Sequence, residues 1–104
     1  MFDEITITLD KERRLCFDFD AMIAFEGITG RNTLQENLMR GFNARDARAF
    51  LYVCFKVDDK IITLDDVGKM INKNNIETVV SKCIEAYKKS TPEVEKTKKK
   101  NEQK

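Results

Sequence analysis

A chain of 104 residues, 41% hydrophobic and 36% charged, with seven phenylalanines and two tyrosines, has the make-up of one small folded domain rather than a disordered polymer. No run approaches the roughly 18–20 apolar residues of a membrane span, and the 19 basic and 18 acidic residues leave a net charge of only +1, without the strong positive balance by which most nucleic-acid binders collect phosphate. There is no histidine, which removes at once the commonest general base and the commonest transition-metal ligand.

Cys16, Cys54 and Cys83 stand far apart among apolar neighbours. They offer neither a Cys-x-x-Cys ligand set nor a disulfide framework and are expected to be reduced, buried thiols. The opening Met1-Phe2-Asp3-Glu4 is acidic where a secretory leader is basic, so a cytoplasmic protein is expected. A domain this small buries only about 60–65% of its unfolded surface. Its margin of stability is thin, and oligomerisation would add to it.

At the front, Ile5, Ile7 and Leu9 alternate with threonines, and Leu15, Phe17 and Phe19 alternate with Cys16 and Asp18. That period of two predicts a β-hairpin, with the polar residues 10–14 in a loop between the strands. Next, Phe19, Met22, Ile23 and Phe25 take helical spacing behind aspartates able to cap, and the helix is expected to end near Gly27 with Gly30 closing the turn. A second short helix is expected from Asn32 or Thr33 to Gly41, with Leu34, Leu38 and Met39 on one side.

The stretch Asn43-Ala44-Arg45-Asp46-Ala47-Arg48 opens a third helix. Asn43 is a favoured N-cap and Asp46, three residues on, can reach back to the first turn's free N–H groups. Negative charge there also suits the helix dipole, by roughly 0.3–1 kcal/mol near a surface. Arg45 and Arg48 leave the same side, one turn apart. Ala47, Phe50, Leu51, Cys54 and Phe55 form the inward face, and with Ala49, Tyr52 and Val53 the helix is apolar nearly all round. Such a helix is either the centre of a core or a face kept for a partner.

Thr63 and Asp66 repeat the capping pattern ahead of Leu64, Val67, Met70 and Ile71. A third instance, Asn74 with Glu77, opens the last helix, where Ile76, Val79, Val80, Cys83, Ile84 and Tyr87 give a long stripe to about Lys89. From residue 91 to 104 there are five lysines, three glutamates, one proline and one valine, a net +2 that leaves −1 for residues 1–90. That tail has too little apolar surface to offset chain entropy and is expected to be disordered. The fold class expected is mainly α (α+β): an N-terminal β-hairpin and a bundle of about five short helices in a single domain over residues 1–90, then the Lys-rich tail.

Chemistry is sparse. Asp58-Asp59 falls in a loop and Asp65-Asp66 at a helix cap, so both acid pairs have structural reasons to be there, and no Gly-rich phosphate cradle is present. No enzyme, cofactor or metal is expected. The last two helices have the order of a helix-turn-helix, but Glu77, Thr78, Ser81, Lys82 and Glu85 would face the groove, and acids there repel phosphate.

The order of these pieces resembles the tail assembly chaperones of long-tailed bacteriophages and prophages. The resemblance rests on four stretches. They are Leu15-Cys16-Phe17-Asp18-Phe19-Asp20-Ala21 leading to Glu26 and Gly30; Asn43-Ala44-Arg45-Asp46-Ala47-Arg48-Ala49 with its apolar run; Thr63 to Ile71; and the closing amphipathic helix, about residues 14–88 in all. It implies a non-enzymatic helper that coats the long helical tape measure protein, recruits tail tube subunits, self-associates, works in the bacterial host cytoplasm and is absent from the mature virion. On that footing Arg45, Arg48, Phe50, Phe55, Val79, Ile84 and Tyr87 are the candidate partner-binding residues. A small DNA-binding regulator and a host-directed interaction protein of a mobile element are the alternatives.

Overall fold

The computed structural model describes residues 4–90. In chain order they form β1 (Thr6–Thr8), β2 (Glu12–Arg14), α1 (Phe19–Thr29), α2 (Ala44–Phe55), α3 (Leu64–Met70) and α4 (Ile76–Ser90). The result is a two-stranded antiparallel hairpin with four helices, of which α2 is the hub, touching α1, α3, α4 and β2. The expected disorder of the Lys-rich tail lies outside the described residues.

The helix starts follow from their caps. Asn43 accepts the Asp46 N–H at 2.9 Å while the Asp46 carboxylate accepts the Asn43 N–H at 3.2 Å, a reciprocal pair that satisfies two orphan donors of α2. Thr63 and Asp66 do the same for α3, at 3.0 Å in each direction. Asp18 caps α1 through the Ala21 N–H at 2.8 Å. That helix runs two residues past Gly27 and stops at Gly30, whose φ of 77° is the left-handed turn that glycine adopts without strain.

Three expectations are corrected. There are four helices, not about five, because residues 31–42 form turns instead of the helix expected there. Local side chains take the backbone donors that a helix needs. Asn32 Oδ1 accepts from the N–H of Leu34 and Gln35, Asn37 Oδ1 from that of Met39, and the Glu26 carboxylate from the N–H and hydroxyl of Thr33. From this stretch only Leu38 is fully buried, while Leu34 stands 77% exposed.

In the hairpin, the second strand occupies residues 12–14, which were expected to be loop. Thr6 pairs with Arg14 and Thr8 with Glu12, and a short turn is closed by the Leu9 N–H on the Lys11 carbonyl. Two arginines sit in this strand because each has acids to meet. Arg13 lies 5.1 Å over the Phe55 ring and bonds Asp10 at 2.8 Å and Asp59 at 3.3 Å; Arg14 bonds Asp58 at 2.8 Å. At α4 the reciprocal cap is Asn72 with Asn75, not Asn74 with Glu77. Asn72 Oδ1 accepts the Asn75 N–H at 3.1 Å, and Asn75 Oδ1 accepts the Asn72 N–H at 2.8 Å. The Asn75 amide also donates to the Met70 carbonyl at 2.8 Å, tying the end of α3 to the start of α4.

The core is centred on α2. Phe50 stacks on Phe17 at 4.3 Å between centroids and meets Phe25 and Phe42 edge-on, with Leu51, Cys54, Phe55, Val67, Val79 and Cys83 completing the buried set.

Candidate interaction surface

The capping geometry answers what the charges at the start of α2 are for. Asp46, the one buried charged residue in the described core at 4% exposure, is both the reciprocal cap and the partner of Arg31, 2.7 Å away. Arg31 also bonds the Glu36 carboxylate at 2.9 Å and the carbonyls of Leu38 and Arg40 at 3.0 and 2.7 Å. One guanidinium therefore fastens the irregular stretch after α1 to the first turn of α2. Burial of Arg31 opposes its charge, but its bonds to Glu36 and the nearby Asp46 carboxylate outweigh that and raise its affinity for the proton above the ordinary arginine value. Nothing in residue spacing points from Arg31 to Asp46, fifteen positions on, and the pair was not foreseen.

Arg45 and Arg48 differ from Asp46. Neither has a carboxylate partner or hydrogen bond among the described residues. Both line a shallow groove of about 360 Å³, shared with Ala44, Gly68, Ile71 and Ile76. Gly68 faces the arginine stem: a β-carbon on it would stand 3.4 Å from Arg48 Cδ, at van der Waals distance, so the stem lies close against α3. The groove has an apolar floor, Ile71 and Ile76, and two guanidinium heads at its edge. That suits a segment in which carboxylates flank apolar side chains.

The remaining candidates do not join this surface. Phe50, Phe55 and Val79 are at most 1% exposed and belong to the core, and α1, α3, α4 and β2 pack around α2, whose exposed residues are Ala44 and Arg45 in its first turn. Ile84 and Tyr87 are half-buried on α4. The Tyr87 hydroxyl accepts the Leu38 N–H at 3.5 Å, and at 1.5 Å per residue Tyr87 is about 16 Å along the helix from Ile76.

Apolar surface is exposed elsewhere, at the separate residues Leu34 and Ile61, 77% and 87% exposed, and as a row on α1. Phe19 and Ile23 are 64% and 54% exposed, and Ala24 and Gly27 beside them are exposed too. The signal was present: over residues 19–29 only Asp20 and Glu26 carry charge, so this helix is apolar all round as well.

The described residues include three free cysteines and several acids. Burial pushes the Cys83 thiol up to about 12 and raises those of Cys54 and Cys16, so none is an activated nucleophile. No group of three or more Cys, Asp and Glu among them is placed to share a metal ion. An open basin of about 590 Å³ beside the hairpin holds Arg13 and Arg14, but both are already paired with acids. On α4, Glu77 and Glu85 stay on the exposed side and Lys82 approaches Glu85 at 3.9 Å, an arrangement that repels phosphate. No helix among the described residues is long and apolar enough to cross a membrane.

No family model, no curated protein and no solved structure matches this chain.

Proposed function

We propose that this chain is a non-enzymatic binding protein of the phage tail assembly chaperone kind, which holds the tape measure protein soluble and brings tail tube subunits to it in the host cytoplasm, and which leaves before the virion is complete. The observation that supports this reading is the groove of Arg45, Arg48, Ile71 and Ile76. Two guanidinium groups without acid partners among the described residues line it together with two isoleucines, and the complementary ligand is an amphipathic helix with carboxylates along one edge. A tape measure protein, being long and helical, is the occupant to which this reading commits.

The test is co-expression with the tape measure protein, a very long coiled-coil protein whose gene this reading expects immediately downstream, followed by affinity capture and sizing. The native chain is expected to co-purify with it, and Arg45→Glu with Arg48→Glu to weaken the complex at least tenfold while leaving circular dichroism unchanged. Failure to associate overturns the reading. So does salt-sensitive retention of the native chain on duplex DNA that the double variant loses, the result expected of a regulator.

A further inference from the structure

We propose that the outward face of α1 is a self-complementary docking surface, on which a second copy of this chain packs its own α1 antiparallel about a two-fold axis at Ile23. This does not rest on the proposed function, and it uses a face formed by other residues than the arginine groove.

The grounds are the shape and charge of one row of residues. Phe19, Ile23 and Gly27 lie four apart on the exposed side of α1 and so form a single ridge about 12 Å long. Its ends differ. Phe19 projects a ring that is 64% exposed, whereas Gly27 offers no side chain, and the space where its β-carbon would stand has no atom within 4 Å. Both ends are equidistant from Ile23. An antiparallel pair therefore sets each Phe19 over the Gly27 gap of the other copy and Ile23 against Ile23, bulk to void at both ends. A parallel pair would set ring on ring and gap on gap.

Charge selects the same arrangement. Asp18 and Asp20 are exposed at the N-terminal end of α1, across a hollow lined also by Lys56 and Lys60. The Lys56 ammonium is held by the Lys60 carbonyl at 2.9 Å and by the Tyr52 ring. Parallel pairing would bring four aspartates together, and antiparallel pairing puts the two pairs at opposite ends. A contact between two helices of 11 residues falls below the roughly 1,200 Å² of a standard interface. The dimer is accordingly weak and concentration-dependent.

Sedimentation of the full chain from micromolar to millimolar concentration measures this directly. A monomer–dimer equilibrium is expected. Gly27→Phe fills the gap and should raise the dissociation constant more than tenfold, while the dilute monomer keeps or raises its thermal midpoint because a helix-interior glycine has been removed. Adding Phe19→Ala to Gly27→Phe moves the bulk to the other end of the ridge and should bring the constant back to within about threefold of native, as antiparallel pairing predicts. Ile23→Cys should form an intermolecular disulfide through the introduced thiols under mild oxidation. A monomer at every concentration, a dimer indifferent to Gly27→Phe, or a double variant as weak as the single one overturns the proposal. Docking of a different helical protein on this face, with no self-association, overturns it as well.

Discussion

Helices α1 and α2 are close in length, 11 and 12 residues, and each is apolar on more than one side, yet they have opposite fates. Eight residues of α2 are buried, including Phe50, Leu51 and Phe55, and α1, α3, α4 and β2 pack around it. In α1 only Ala21 and Phe25 are buried, and Phe19 and Ile23 face outward. Apolar composition establishes that a helix needs a partner; the packing order decides whether that partner is the rest of the chain or another molecule.

The sharpest way to break this comparison is to truncate one ring in each helix. Phe50→Ala should destabilise the domain by about 3–5 kcal/mol, because it empties the centre of the ring cluster, whereas Phe19→Ala should change stability by no more than about 0.5 kcal/mol at concentrations where the chain is monomeric. Urea denaturation measures both, and equal losses would mean that α1 is as integral to the core as α2.

Next in size is the clamp between the irregular stretch and α2. Asp46→Ala removes the reciprocal cap and leaves Arg31 without its buried carboxylate, for an expected loss of roughly 3 kcal/mol. Hydrogen exchange should show residues 31–42 losing protection before the helices do. An unchanged denaturation midpoint would show that Glu36 and the carbonyls suffice to hold Arg31.

Acid and alkali give a smaller effect with a defined sign. Its hydrogen bond from Arg13 lowers Asp10 from 3.8 to about 2. Asp58 is lowered through Arg14, and Glu36 through the Asn32 N–H and then Arg31. Groups lowered in the folded state add stability above their unfolded values and lose it as pH falls, so stability should decline between about pH 4 and 2. These carboxylates are largely exposed, and the slope should be shallow and flattened by salt. Burial raises Cys83 from 9.0 to about 12. That contribution is complete below pH 9 and fades as pH rises toward 12, and thermal melts across the range should show a plateau between the two declines.

The smallest expected change is from Arg45→Glu with Arg48→Glu. Having no ion pair among the described residues, the two arginines should alter stability by less than about 0.5 kcal/mol, while partner binding responds strongly. A collapse of helical signal would show that their stems, and the contact of Arg48 with Gly68, are structural.

Much of the local structure was legible in residue order. Asn43 with Asp46 and Thr63 with Asp66 are capping signals three residues apart, and the hydrogen bonds are found there. Gly30 was legible as the left-handed residue that closes the turn, although α1 was expected to end near Gly27 and runs to Thr29. Signals failed where a residue's role depends on something distant. Residues 32–41 have helical spacing but spend their backbone donors on Asn32, Asn37, Glu26 and Glu36. The strand at Glu12–Arg14 looks like a loop until Asp58, Asp59 and Phe55 arrive from more than 40 residues on. At the candidate site, residue order places Arg45 and Arg48 on one side of a helix, but nothing local points to the groove they line with Gly68 and Ile76.

By itself, then, the sequence determined what neighbours within one helical turn can settle: where α1, α2 and α3 begin and which residues cap them, and that no histidine is present. The tertiary structure decided that α2 is largely enclosed while α1 keeps an apolar ridge, and that Asp46 answers Arg31 while Arg45 and Arg48 meet no carboxylate among the described residues. The reason is range. A cap is a hydrogen bond across three residues, fixed as soon as the helix forms. Burial and ion pairing depend on which surfaces the whole chain brings together.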